Sequence, residues 1–421
     1  MAHRSNRDKL GASPRIFDNA MPDAPFRSSW LTRDVVLLSL SSLFADISTE
    51  MLYPILPLFL TGVLGAGGSV VGLIDGVAQA TQNIVQGFSG SLSDRMGRRK
   101  PIALTGYFLS ALSKPLTGLA TAWPGVLGAR FLDRVGAGTR SAPRDALIAT
   151  SAPAEHRGKV FGLEGLGDNL GAFLGPLIAV LLLGMFHLDM RAIFYLTIVP
   201  GLLAFIMVLF VREEQVDFAA RARVDIRFRR FPRAYWKYLL ATGLFGIGNS
   251  SNAFLILETQ ATGASVESTV LIYAGFNLVA ALVSYPTGFL SDRFGRRNLL
   301  VAAVVVFFVV YSGFALTADV LIIAILFVCY GAYQGTFRTV GKALAADFIP
   351  EELRAGGIGW YNSLLGLAQL LASMIAGLLW DKLGHHAVFI YGATFAMISA
   401  VAILILVPSD GDDCTRSGQK T

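Results

Sequence analysis

The sequence predicts an all-α membrane protein with twelve transmembrane helices in two pseudo-symmetric six-helix halves. Three observations lead there. Of its 421 residues 54% are hydrophobic and only 15% charged, whereas soluble domains sit nearer to a quarter charged. Twelve apolar runs alternate with short polar breaks, each run near the roughly 20 residues that carry a helix across a bilayer. A ten-residue segment of the first half also returns almost unchanged in the second.

Taken in order, residues 1–34 read as a cytoplasmic N-terminal tail, since no apolar stretch of signal-peptide length lies between Met1 and Ser29. Spans are expected at 35–64, 70–91, 101–121, 124–147, 158–183 and 191–211, making a first half of 35–211. A polar central loop, 212–234, precedes spans at 235–259, 267–290, 298–317, 320–345, 356–380 and 387–407. The second half is thus 235–407, followed by a cytoplasmic tail, 408–421. Pro54 and Pro57 predict a loosened outer end for span one, because proline removes a backbone donor and crowds the preceding turn.

Charge fixes the expected orientation. With both termini cytoplasmic, thirty of the 35 Lys and Arg residues fall on that side, two (Arg191, Lys382) fall opposite, and three (Lys114, Arg130, Arg134) lie within spans. The implied location is the inner membrane of a bacterium. Positive charge strung along membrane-facing loops, rather than gathered on one face, excludes a nucleic-acid partner. Cys329 and Cys414 supply neither a disulfide framework nor a C-x-x-C ligand pair.

Gly90-Ser91-Leu92-Ser93-Asp94-Arg95-Met96-Gly97-Arg98-Arg99 recurs 198 residues later as Gly288-Phe289-Leu290-Ser291-Asp292-Arg293-Phe294-Gly295-Arg296-Arg297, identical at eight of ten positions. A fainter echo, Pro153 to Arg157 against Pro350 to Arg354, keeps nearly the same offset. Duplicated helical halves are a common transporter architecture, with the substrate site between them. The repeated G-x-L-S-D-R-x-G-R-R, placed after the second span of each half, resembles the signature loop of the major facilitator superfamily over nearly the whole chain. That resemblance implies gating roles for Asp94, Arg95, Gly97 and Arg98 and for Asp292, Arg293, Gly295 and Arg296, with Asp145 as the partner of Arg98. The two glycines permit a tight turn, and Pro101 suits the start of span three. Topological anchoring alone is the competing reading of these loops.

In span four, Arg130-Phe131-Leu132-Asp133-Arg134-Val135-Gly136 resembles the family motif R-x-x-Q-G-x-G, with Asp133 in place of Gln and Arg134 in place of Gly. The resemblance implies a part in proton coupling for Arg130. In span five, Gly171, Gly175 and Pro176 resemble the G-x-x-x-G-P of family antiporters, although Ala179 and Val180 replace its last two glycines. Close helix packing through small residues is the plainer reading of the same stripe.

Ionisable residues within a membrane cost about 2.5 to 3.5 kcal/mol each on insertion scales, so they face a cavity or a partner. Asp46 and Glu50 lie four apart in span one, and Glu164 and Asp168 four apart in span five; each pair shares a helix face and perturbs its own titration. Asp46 and Asp133 lead as proton sites, with Glu50, Glu164 and Asp168 behind them and structural ion pairing as the alternative. Arg130 and Arg134 are the bases expected to hold such acids ionised.

The resemblance also implies that spans one, four, seven and ten line a central cavity. There Asn249, Ser250, Ser251 and Asn252 of span seven, and Tyr330, Tyr333 and Gln334 of span ten, are candidate substrate contacts, or else hydrogen bonds between helices. Arg338 and Lys342 read as interfacial anchors. No Walker pattern, dinucleotide fingerprint or H-E-x-x-H occurs, so no cofactor and no metal is expected. The expectation is a transporter and not an enzyme: a monomer in the lipid bilayer exporting a small molecule in exchange for protons. A symporter importing a nutrient or organic anion is the first alternative, and a membrane-embedded transferase, lacking a nucleophile–base set, the second.

Overall fold

A computed structural model describes residues 31–96, 98–151, 156–213, 231–349 and 354–408; of Ser91, Asp94, Arg95 and residues 354–356 it describes the backbone alone. The tails, most of the central loop and Gly97 lie outside the described residues. The chain forms twelve helical rods, called spans here. In the first half they are Arg33–Val63, Gly68–Met96, Lys100–Leu119, Trp123–Thr150, Arg157–Gly184 and Met190–Leu209. The second half contributes Arg233–Ala261, Val266–Phe294, Arg296–Leu316, Val320–Asp347, Arg354–Leu383 and His385–Leu406.

Several starts follow from side chains that accept otherwise orphaned amides. Thr32 accepts from Val35 N, Asp189 from Ala192 N, Ser265 from Ser268 N, and Asp319 from Leu321 N and Ile322 N. Pro101 opens span three as expected. Gly295, at φ 82°, makes the turn between spans eight and nine in a backbone region that favours glycine.

Spans one and seven are each broken. Span one stops at Leu52, turns through Pro54 and resumes at Leu56 before ending in a π-helical turn over Phe59–Val63. Span seven stops at Gly248 and resumes at Asn252. The two interruptions fall at corresponding places in the duplication.

Within the first half span one packs on span five, and span four on spans two and three; within the second, span eight packs on span ten and span nine on span twelve. Span two lies against span eleven, and span five against span eight, so two pseudo-equivalent contacts form the seam between halves. At the first, glycines bring backbones together: a Cβ added to Gly72 would fall 2.1 Å from Ser373 O, and one on Gly377 would fall 2.5 Å from Gly68 O. Among the described residues spans four and five make few or no contacts with spans ten and eleven, a gap assigned to the end where span one begins and span twelve ends. That end is termed proximal and the other distal.

Several helices run past their expected ends, among them span two to Met96, span four to Thr150 and span eight to Phe294. Arg140 and Arg144, counted with the cytoplasmic charges although they fall within 124–147, are part of the span-four helix, and Arg140 is buried. Among the described residues nine of the twelve rods are long and apolar enough to cross a membrane. The remaining three are spans two, three and four, which carry most of the buried charged side chains.

Candidate functional site

The broken helices meet. Tyr53, at the interruption of span one, places its hydroxyl 3.5 Å from Ser251 Oγ, at the interruption of span seven. Paired discontinuous helices at a repeat interface leave backbone groups free to face a substrate or ion, so this is where a transport site is expected. Further hydrogen bonds cross the seam around it. Tyr273 of span eight donates to Glu50 Oε2 at 3.1 Å, and Asp381 accepts from Gly68 N at 2.7 Å and Ser69 N at 2.8 Å. The Asp381 carboxylate thereby caps the first turn of span two, where amides and helix dipole both favour an anion.

Span five supplies another. Pro176 has no N–H with which to close a helical bond to Ala172 O, and that freed carbonyl accepts from Asn277 Nδ2 of span eight at 3.0 Å. The same stripe sets the position of the acids on span one. A Cβ on Gly171 would fall 2.6 Å from Leu43 O and 2.8 Å from Asp46 Cβ; on Gly175 it would fall 2.8 Å from Glu50 Cβ. Gly171, Gly175 and Pro176 thus act together: the glycines seat the helix bearing Asp46 and Glu50, and the proline ties it to the opposite half.

Asp133 stands in a different setting. It is 1% exposed, and it receives Arg130 Nη1 at 3.0 Å, Arg134 Nε at 3.4 Å, Lys114 Nζ at 3.7 Å and Ser110 Oγ at 2.7 Å. Lys114 also donates to Ser110 Oγ at 3.2 Å, and Arg134 to Gln82 Oε1 at 2.8 Å. Three bases converge on one acid. Protonating Asp133 would strand three buried cations, and breaking a buried pair costs about 3–5 kcal/mol. This geometry argues against the expectation that Asp133 carries a proton. Arg130 and Arg134 make their ion pairs with Asp133, while Glu50 of span one lies within reach of their field only.

Those pairs are met from further along span four. Arg144 lies 2.9 Å from Glu164 Oε1, 2.9 Å from Asp145 Oδ1 and 3.7 Å from Asp168 Oδ1, and it donates to Ser42 Oγ at 3.0 Å. Asp46 has only a loose partner, Arg140 Nη2 at 3.9 Å, and its side chain remains 28% exposed. Arg140 itself lies over the Tyr107 ring, 4.7 Å from its centroid. On the first half's side the more accessible charges are the acids Asp46, Asp145 and Asp168, with Arg140 and Arg144 behind them, while Arg338 and Lys342 of span ten are exposed on the other side.

In the second half the candidate substrate contacts are brought together, but with one another. Asn249 Nδ2 donates to Tyr333 OH at 3.3 Å, and Tyr330 OH donates to Asn252 Oδ1 at 2.8 Å. These bonds tie the broken span seven to span ten, as the helix-joining reading allowed. Both tyrosines are buried in an aromatic cluster with Phe245, Phe307 and Tyr311. Gln334 is half-buried nearby.

At the proximal loops the halves differ. Arg296 pairs with Asp292 at 3.6 Å and with Asp347, and it reaches Ala343 O. In the first half the corresponding carbonyl, Ala146 O, accepts from Arg99 at 3.0 Å instead, while Arg98 is exposed. The pair expected between Arg98 and Asp145 is not formed, because Arg144, one residue away on the same helix, takes the Asp145 carboxylate first. Arg293 is exposed; Gly97 and the side chains of Asp94 and Arg95 lie outside the described residues.

Sequence reasoning passed over Asp75, Gln82, Lys114, Arg140, Arg144, Tyr273 and Asn277. A signal existed for Asp75 and Lys114, the ionisable residues in the middle of spans two and three. None existed for Tyr273 and Asn277, whose importance depends on what faces them from the other half.

Comparison with known proteins agrees with this architecture. The family model described as Major Facilitator Superfamily matches residues 38–257 and 238–420. An uncharacterized MFS-type transporter of Methanocaldococcus jannaschii is 33% identical over 382 residues, covering 89% of this chain and 95% of that protein. The multidrug resistance protein MdtG of Enterobacter lignolyticus is 26% identical over 395 residues, covering 90% of this chain and 92% of its own length. Among solved structures, a D-xylose-proton symporter superposes with a TM-score of 0.74 at 15% identity, over 90% of this chain and 98% of that one.

Proposed function

We propose that this chain, which belongs to the Major Facilitator Superfamily and is a secondary transporter of the multi-pass membrane type, exports a small molecule in exchange for protons. The observation that carries the reading is the acid face of span one: Asp46 is loosely paired and partly exposed, and Glu50 is hydrogen-bonded across the seam. A carboxylate that can gain a proton at an opening, next to one whose bond spans both halves, links ion binding to the relative position of the halves. Asp46 and Glu50 are the coupling acids in this reading. Glu164 and Asp168, shared by Arg144, are the fixed counter-charges.

Support for export comes from the Gly171–Gly175–Pro176 stripe and from the likeness to a multidrug resistance protein. The proximal end is the cytoplasmic one, as the Lys and Arg asymmetry implies, and a bacterial inner membrane is the setting. The substrate enters between the acids of the first half and the aromatic wall of the second. Arg296, Asp292 and Asp347 hold the second half's loop in place, and it is this loop and the matching one of the first half that meet when the gate nearest the cytoplasm closes.

The test is transport in proteoliposomes under an imposed pH gradient of each sign, with a panel of organic cations, anions and neutral solutes. Export-type exchange is expected when the acidic side lies distal, and Asp46→Asn or Glu50→Gln should abolish accumulation against a gradient while leaving insertion intact. Solute moving in the same direction as protons would replace this reading with symport.

A further inference from the structure

Span ten carries two charges that no described residue meets. Arg338 and Lys342, one turn apart, are exposed, and the side chain of neither makes an ion pair or hydrogen bond with a described residue. Gln334, one turn deeper, is half-buried and equally without a side-chain partner. The two bases were expected to anchor the span at the membrane surface, but Arg338 stands nine residues before the helix ends at Asp347, about 14 Å into the span. Exposed apolar side chains at Leu321, Ile322, Ile325 and Val328 mark the stripe that the same helix turns to lipid. At about 100° per residue, Arg338 falls roughly 140° round from Ile325. Tyr330, Gln334, Arg338 and Lys342 form a row at four-residue spacing along the face turned to the first half. There Tyr330 lies within electrostatic reach of Tyr53, Arg338 of Glu50, and Lys342 of Asp145.

The acids across the gap are already supplied. Glu50 accepts from Tyr273 at 3.1 Å, and Asp145 and Glu164 each lie 2.9 Å from Arg144. Asp46 and Asp168 have looser cationic neighbours, Arg140 at 3.9 Å and Arg144 at 3.7 Å. The groups short of a partner are therefore the positive ones of span ten. Like charges four apart on a helix repel and weaken it, so the fold itself gains nothing from a lysine one turn after this arginine.

We infer that Arg338 and Lys342 bind the anionic group of the transported molecule, and that the substrate is a small organic anion. Its oxyanion, a carboxylate or a phosphate ester, rests between the two bases, and Gln334 hydrogen-bonds the part that reaches deeper. This rests on the secondary-transport reading above and names the class of molecule moved. A guanidinium presents paired N–H donors that match two oxygens of one such group, and the ammonium adds a point charge from the next turn. Both bases belong to the second half and the acids to the first, so anion and proton are held on opposite sides of the gap.

Thermal unfolding of the purified full chain in detergent tests this, with phthalate, adipate, phenyl phosphate, benzyltrimethylammonium, benzyl alcohol or sodium chloride added at matched ionic strength. At least one of the three organic anions is expected to raise the melting temperature, and the cation, the alcohol and the salt are not. Arg338→Gln should raise the half-saturating anion concentration roughly tenfold or more and Lys342→Gln about threefold, while Arg338→Lys keeps part of the effect. Without ligand the variants should melt with the parent, since no partner is lost; an Arg338→Gln protein that melts early leaves Lys342→Gln as the deciding variant. Anion stabilisation that is equal in parent and variants, or matched by sodium chloride, overturns the site, and so does a panel in which no anion stabilises. Variants that bind the anion normally but change the distance between spin labels across the proximal gap would make these bases gating groups and likewise overturn the proposal. Flux of the stabilising anion into proteoliposomes that depends on Arg338 but ignores an imposed pH gradient supports the anion site and overturns the proton-coupled reading alone.

Discussion

The two halves share a duplicated sequence and a helix order, yet their interiors are built from different chemistry. Among the described residues, eight buried charged side chains occupy the first half (Asp75, Arg99, Lys114, Arg130, Asp133, Arg134, Arg140, Glu164), against Glu258 alone in the second. The second half fills the same volume with stacked rings: Phe307 lies on Tyr311 with centroids 3.9 Å apart, and Phe245 meets Phe307 edge-on at 4.9 Å. All six spans of the second half are apolar enough to cross a bilayer by composition, but only three of the first are. The two copies keep the same helix order, but one is lined by charge and the other by rings.

The largest test of that division is Asp133→Asn, which leaves three buried bases without their acid. A loss of about 3–5 kcal/mol is expected, visible as a steep fall in the melting temperature of the detergent-solubilised protein. Asn249→Ala in the second half, which removes one neutral hydrogen bond, should cost only about 0.5–1.5 kcal/mol in the same assay. Equal effects would dissolve the contrast.

Gly171→Ala comes next. Its Cβ would meet Leu43 O at 2.6 Å and push span five away from the acid face, at about 1–3 kcal/mol and with impaired transport. Gly275→Ala in the second half enters open space and should lose nothing.

Pro176→Ala restores an N–H that competes with Asn277 for Ala172 O. Weakening the seam by about 1 kcal/mol should shift the halves toward opening at the distal end, measured as a changed distance between spin labels on spans two and eleven. Asn277→Ala should shift it the same way, and the double variant should add little, since both remove one bond. Additive shifts would separate proline and asparagine into independent roles.

The smallest expected change in stability is Arg296→Ala, about 0–1 kcal/mol for a partly exposed ion pair. Transport should nevertheless slow, because Arg296 links the loop after span eight to the end of span ten. Arg98→Ala, whose exposed side chain has no such link in this state, should slow it less; the opposite ranking would show that the first half's loop does the gating.

Much of the architecture was legible beforehand for local reasons. Spans could be counted because a bilayer demands about 20 apolar residues at each crossing, and the break in span one could be foreseen from Pro54 and Pro57. The repeated loop located the join between spans eight and nine because only a residue such as Gly295 adopts that turn readily. The candidate site was legible as a set of residue types but not as a set of partners. Asp46, Glu50 and the Gly171 stripe were found. Asp145 was matched to Arg98 through the family resemblance and its place near the cytoplasmic end of span four, whereas the nearer guanidinium of Arg144 already occupies its carboxylate.

Sequence alone determined what each helix carries on its own face, since the 3.6-residue period relates Asp46 to Glu50 without reference to any neighbour. The tertiary structure alone decided which acids are satisfied and which are not. Asp133 collects Lys114 from another span, the Ala172 carbonyl freed by Pro176 accepts from Asn277 about a hundred positions away, and Asp75 goes without a donor among the described residues. Each of those outcomes depends on the rotation and depth at which two helices meet, quantities fixed by packing between segments distant in the chain and absent from the periodicity of either one.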